Sequence, residues 1–134
     1  MNRTLLVRTL EALSAPLGCT FRSAPDGALL HLAGAAPTLW LSPPELLRVE
    51  GIKKGRESYS IKLHLLYIPE SKDPTRLTEQ QGEMEELLLE LMACLSETPQ
   101  VISIEEISIT PPNSPLTPRG EALLRLEAEV ITWF

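Results

Sequence analysis

The sequence predicts an α+β fold: a mixed, mainly antiparallel sheet packed on one long helix, with a short helix at the N-terminus. Three stretches carry this expectation. Tyr59 to Ile68 alternates as a long strand, Thr78 to Ser96 repeats as a long helix, and Val101 to Ile109 alternates again. A strand and a helix of similar length can lie along one another, and that pair is expected to form the core layer.

The chain opens on an amphipathic helix. Leu6, Leu10 and Leu13 recur at helical spacing, Asn2 is placed to cap the start, and Pro16 with Gly18 stops it. Short strands are expected at Thr20 to Arg22, Ala28 to Ala33 and Thr38 to Leu41. Pro25-Asp26-Gly27 and the small residues Gly34 to Ala36 separate them as turns. Pro43-Pro44-Glu45 either starts a single helical turn through Leu47 or leads into an extended piece ending at Val49. Gly51 to Arg56 then reads as a basic loop bounded by glycine.

In the long strand, Tyr59, Ile61, Leu63, Leu65 and Tyr67 share one face, while Ser60, Lys62 and His64 share the other. Leu66 and Ile68 make its end apolar on both faces, as in a central strand covered there on both sides. Pro69 to Thr75 is a polar loop, and Thr78 with Gln81 has capping-box spacing. The helix that follows carries Leu77, Met84, Leu88, Leu91 and Leu95 along one stripe, widened by Leu87 and Met92. Glu79, Glu83, Glu86 and Glu90 lie opposite. Its length is about 28 Å at 1.5 Å per residue. Gly82 costs about 1 kcal/mol relative to Ala, a cost offset only if another backbone approaches closely there or the helix frays.

Beyond Pro99, Ile102 and Ile104 share one parity and Ile107 and Ile109 the other. Glu105-Glu106 sits at the switch, where a β-bulge would flip the alternation. Thr110 to Gly120 holds Pro111, Pro112, Pro115 and Pro118, which breaks any ladder or helix and makes it a projecting loop. In Glu121 to Trp133, Leu124, Leu126, Ala128 and Val130 point inward and Arg125, Glu127 and Glu129 outward. The order reads α-β-β-β-β-α-β-β, a single domain over residues 1–134 with no repeat. The expected core is Leu63, Leu65, Leu88, Leu91, Leu95, Ile104, Leu126 and Val130.

Composition narrows the function classes. Of the 134 residues, 43% are hydrophobic, which supports one folded core rather than disorder. With 4% aromatics that core must be aliphatic. A net charge of −6 disfavours nonspecific nucleic-acid binding, because affinity for phosphate comes from Lys and Arg releasing counterions. No secretory leader or bilayer-length apolar run is visible, so a cytoplasmic protein is expected. Cys19 and Cys94 are then expected as free thiols.

The chemistry-bearing residues form no constellation. His31 and His64, the two histidines, lack metal-ligand spacing and read as partly exposed strand residues. The serines lack a nucleophile-elbow glycine pattern. Gly51 to Gly55 lacks the Gly-Lys-Ser/Thr ending of a phosphate loop. The glutamates of the long helix have no apolar wall to raise a pKa. No catalytic residue, cofactor or metal is expected.

The order of elements resembles the tail terminator proteins of long-tailed phages and of related contractile injection machines. Tyr59-Ser-Ile-Lys-Leu-His-Leu-Leu-Tyr67, the helix from Glu79 to Leu95, Val101 to Ile109 and Leu123 to Trp133 carry that likeness. The resemblance implies a non-enzymatic homo-oligomer: a ring, in one form a hexamer, on the end of the tail tube, facing tail-tube or head-connector proteins in the virion. It implies no membrane partner and no sequence-specific nucleic acid. On that view Lys53, Lys54 and Arg56, with Pro112, Asn113, Pro115 and Pro118, are candidate assembly contacts. Glu86 and Glu90, or Glu127 and Glu129, are candidate acids lining a lumen, where negative charge would repel passing DNA. The alternative is a small cytosolic binding or dimerisation module with no catalytic activity, in which the sheet or the cleft beside the helix holds a ligand or partner.

Overall fold

The computed structural model describes residues 1–25, 36–110 and 120–134. Helix α1 spans Arg3–Ser14 and passes through a short 3-10 turn into strand β1, Thr20–Ser23. Strands β2 (Thr38–Leu41), β3 (Glu45–Glu50) and β4 (Arg56–Tyr67) follow, then helix α2 (Pro74–Ser96) and strands β5 (Val101–Thr110) and β6 (Ala122–Trp133). The strand order is β1-β2-β4-β6-β5, and β3 lies beside β4. Among the described residues, β1 and β2 run parallel and every other pairing is antiparallel. The fold is therefore α+β, a mixed sheet with one long and one short helix.

β4 is the organising strand. β6 pairs with it from Arg56 to Tyr67, so β2 and β3 must share its other edge, end to end. The chain breaks between these two strands at Ser42-Pro43-Pro44. Proline cannot donate to a ladder, and the break leaves Ile61 and Lys62 of β4 between them.

One face of the sheet is dry. Leu39, Leu41, Tyr59, Ile61, Leu63, Leu65, Leu124, Leu126 and Val130 join Leu6 and Leu10 of α1 and Leu88, Leu91 and Leu95 of α2 in one cluster. Fully burying each such leucine stabilises the fold by about 1.5–3 kcal/mol. The periodicity of α1 holds: Leu6 and Leu10 are buried, and the Asn2 side chain accepts from the Leu5 amide at 2.8 Å. The alternation of β4 and β6 holds as well. So does the bulge, for the β5–β6 register shifts between Glu105 and Ser108 and Glu106 has φ 54°.

Several expectations need correction. The strand expected at Ala28 to Ala33 and the turn through Asp26-Gly27 lie outside the described residues. The extended alternative holds for the Pro43–Leu47 region, as β3, because β4 starts three residues earlier than Tyr59 and offers it a partner. Ile68 is 52% exposed beyond the end of β4, so only Leu66 is covered there. Helix α2 begins at Pro74, not Thr78. Proline at the first position loses no hydrogen bond that a helix start would make, and the Thr78 hydroxyl donates back to the Pro74 carbonyl at 3.0 Å instead of capping. A Cβ on Gly82 would meet nothing within 4 Å outside the helix, so no close approach compensates that glycine. Of the expected core, Ile104 is only half-buried because β5 is an edge strand.

Among the buried polar residues, Gln80 and His64 depart most from expectation. Gln80 is buried within the apolar side of α2. It accepts from the Glu70 amide at 2.9 Å and donates to the Ile68 carbonyl at 3.2 Å, clamping the β4–α2 connection. His64, expected as partly exposed, is buried on the face of the sheet away from the helices. It pairs across β4 with Trp40, and beside it Leu66 is buried too. The Trp40 indole donates to the Ala24 carbonyl at 2.8 Å, which satisfies its one polar atom.

Candidate assembly surface

The far face of the sheet divides in two. At one end Trp40, His64 and Leu66 are buried; at the other, Ser58, Ser60, Lys62, Glu127 and Glu129 sit beside β3. Arg48 of β3 lies 3.7 Å from Glu129 and 3.7 Å from Glu50, and Arg125 lies 2.7 Å from Glu127. The Arg48–Glu50 and Arg125–Glu127 pairs are solvent-exposed, so each contributes about 1 kcal/mol at most, while Glu129 is partly buried.

The hairpin between β3 and β4 turns tightly. Gly51 has φ 90°, a conformation in which a side chain is strained, and a Cβ on Gly55 would collide with the Glu50 carbonyl. The tip therefore holds Ile52, Lys53 and Lys54 in the open, with Ile52 94% exposed. Arg56 does not belong to that tip. Its guanidinium stacks over Trp133, 5.4 Å from the ring centre, which ties it to the end of the sheet.

The candidate acids fall on opposite sides of the molecule. Glu86 and Glu90 are exposed on α2, whereas Glu127 and Glu129 are half-buried on the far face of β6. One lumen cannot be lined by both pairs. Pro112, Asn113, Pro115 and Pro118 lie outside the described residues.

Elsewhere the charges brace the fold. Arg76, in the first turn of α2, meets Glu70, Glu83 at 3.0 Å and Glu79 at 3.4 Å. The hydrogen bond to Glu70, then that to Glu83, raises its pKa above the ordinary arginine value. Burial and a hydrogen bond to the Glu57 carboxylate push the Tyr59 hydroxyl up to about 12. Burial also raises the Cys19 thiol; Cys19 and Cys94 are both free. Among the described residues, no three His, Cys, Asp or Glu side chains are grouped to hold a metal ion. No described helix is long and apolar enough to cross a membrane.

Clefts indent the surface formed by the described residues. One of 810 Å³ lies between the end of β4 and the start of α2, lined by Tyr67, Ile68, Glu70, Leu77, Gln81 and Gly120. Another, of 380 Å³, sits where β2 and β3 part, with Arg3, Lys62 and Ser60 at its wall.

The surface that sequence reasoning passed over is β3. All six of its residues are exposed, and Leu46, Leu47 and Val49 are 45%, 54% and 51% accessible. Among the described residues β3 pairs only with β4, so its other edge presents unpaired backbone groups. A run of apolar residues closed off by two prolines on one side and Gly51 on the other was the available signal. No family model matches this chain, and no curated protein matches it either.

Proposed function

We propose that this chain is a structural, non-catalytic tail protein that assembles as a ring on the end of a phage or phage-like tail tube, in the manner of a tail terminator. The observation that carries the reading is the order of elements. α1, four strands, α2 and a closing strand pair build a two-layer domain whose longest strand and longest helix share one core. An assembly role is supported by the exposed charges of the hairpin tip and of α2, at Lys53, Lys54, Glu86 and Glu90. In the ring, the basic hairpin tip at Lys53 and Lys54 meets an acidic surface of a neighbour or of the tube. One acidic face, α2 or the far side of β6, turns to the lumen.

The test is deletion of the gene in a strain that makes tails, followed by electron microscopy. Tubes that lack a defined end and fail to join heads support the reading; complete tails of normal length overturn it.

A second reading, a small binding or dimerisation module, draws on the 810 Å³ cleft beside the start of α2. Its mixture of apolar walls and a few polar groups suits a small ligand. Normal tails together with a ligand that shifts the Leu77 and Tyr67 resonances would favour this reading over the ring.

A further inference from the structure

The cleft at the start of α2 has fixed walls. Gln80 accepts from the Glu70 amide and donates to the Ile68 carbonyl, which holds the β4–α2 connection against the helix. On the sheet side, Tyr67 pairs with Ala122, and Gly120 stands just before that strand. Both Ala122 and Gly120 are small, and a Cβ on Gly120 would meet nothing within 4 Å. The 810 Å³ of space lies beside these two residues, between Tyr67 and Leu77.

Its polar groups are few, and one of them lacks a partner. Tyr67 is 7% exposed, yet its hydroxyl makes no hydrogen bond among the described residues. Buried hydroxyls are ordinarily paired, as that of Tyr59 on the same strand is with Glu57. Burial, then the charge of Glu85, raises the Tyr67 pKa, so the hydroxyl keeps its proton at neutral pH and can donate. Leu77, Gln81 and Glu85 follow one another at four-residue spacing along one side of α2. The Gln81 amide donates to the Glu85 carboxylate at 3.1 Å, which leaves the Gln81 side-chain oxygen to accept.

The rest of the wall decides the ligand's charge. Ile68, 52% exposed, and Leu77, half-buried, offer apolar surface. Glu70 at the rim is paired with Arg76, and Lys72 is exposed there, where solvent screens it. The charge that reaches the Tyr67 hydroxyl is that of Glu85, which disfavours an anion. Glu85 already accepts from Gln81, and burying an ammonium costs more than burying a neutral donor.

We propose that this cleft binds a small neutral molecule with an apolar body and one hydroxyl or amide group, held between the Tyr67 hydroxyl and the Gln81 side chain. The inference rests on the cleft reading given second above and names the class of its ligand.

Naphthol and naphthoate, probes of similar size that differ in charge, are titrated at neutral pH into the isotope-labelled full chain and followed by NMR. Saturable shifts of the Tyr67, Ile68, Leu77 and Gln81 amides are expected with naphthol, and naphthoate should bind at least about tenfold more weakly. Tyr67→Phe keeps the ring and should weaken naphthol about fivefold, the effect of one net hydrogen bond. Circular dichroism establishes that the variant is folded. Should it not fold, Gln81→Ala, at a half-buried helix position, decides instead and should weaken naphthol likewise. No saturable shift with naphthol, or a folded variant that binds it as the parent does, overturns the proposal. Naphthoate bound as tightly at the same amides overturns the neutral class while leaving the cleft reading standing. That reading fails separately, if tails of the deletion strain lack a defined end.

Discussion

The helix-covered face and the β3 edge use the same residue types to opposite ends. Under α2, leucines sit in a dry layer, and their loss leaves a cavity that the packed neighbours cannot fill. On β3, Leu46, Leu47 and Val49 are about half exposed, and nothing in the monomer depends on their size. Apolar character alone therefore does not mark a core residue. What separates the two is whether an element of the same chain lies over the strand.

The comparison breaks most readily at Leu91, which is fully buried. Leu91→Ala should cost about 2–5 kcal/mol in chemical denaturation, from lost transfer energy plus the cavity. A loss below about 0.5 kcal/mol would mean that the helix-covered face is not the core. Gly82→Ala acts on the same helix with opposite sign. A Cβ there meets nothing, so the gain should be about 1 kcal/mol from helix propensity and a less flexible unfolded chain. No gain would mean that the first turns of α2 are frayed.

A third test titrates the boundary between the two regions. Tyr59 is buried beside Glu57, and its hydroxyl is raised from 10.0 to about 12. The native state thus holds this proton more tightly than the unfolded chain. Its stabilising effect is complete below pH 10 and is lost as pH rises toward 12. The decline in stability over that window should be shallower in Tyr59→Phe than in the parent chain, read from thermal melts. The smallest effect is expected at the edge: Val49→Lys should change stability by about 0.5 kcal/mol or less, because Val49 is half exposed. A large loss of monomer stability would place Val49 in the core.

The same contrast explains what the sequence could and could not reveal. Where one face is buried by the chain itself, periodicity records it, so α1, α2, β4 and β6 were legible in phase. The bulge at Glu105-Glu106 was legible because an extra residue shifts every later side chain. β3 was only an open alternative, since Glu-Leu-Leu-Arg-Val-Glu lies on no dry face and owes its extended form to the uncovered edge of β4. Alternation also assigned His64 to a polar face. It missed that Trp40 and Leu66 bury that end of the far side too, a consequence of long-range pairing between β2 and β4. Gln80 was hidden for a similar reason, because its partners Glu70 and Ile68 lie in a connection with no pattern of its own. Of the candidate contacts, Lys53 and Lys54 were found as exposed loop residues, while the neighbouring apolar edge went unread.

Amide hydrogen exchange tests the central claim most directly, because it reads both regions at once. Residues 45–50 should exchange faster than the core amides, while those of α2, β4 and β6 remain protected. Protection of β3 equal to that of β4 and β6 would contradict it.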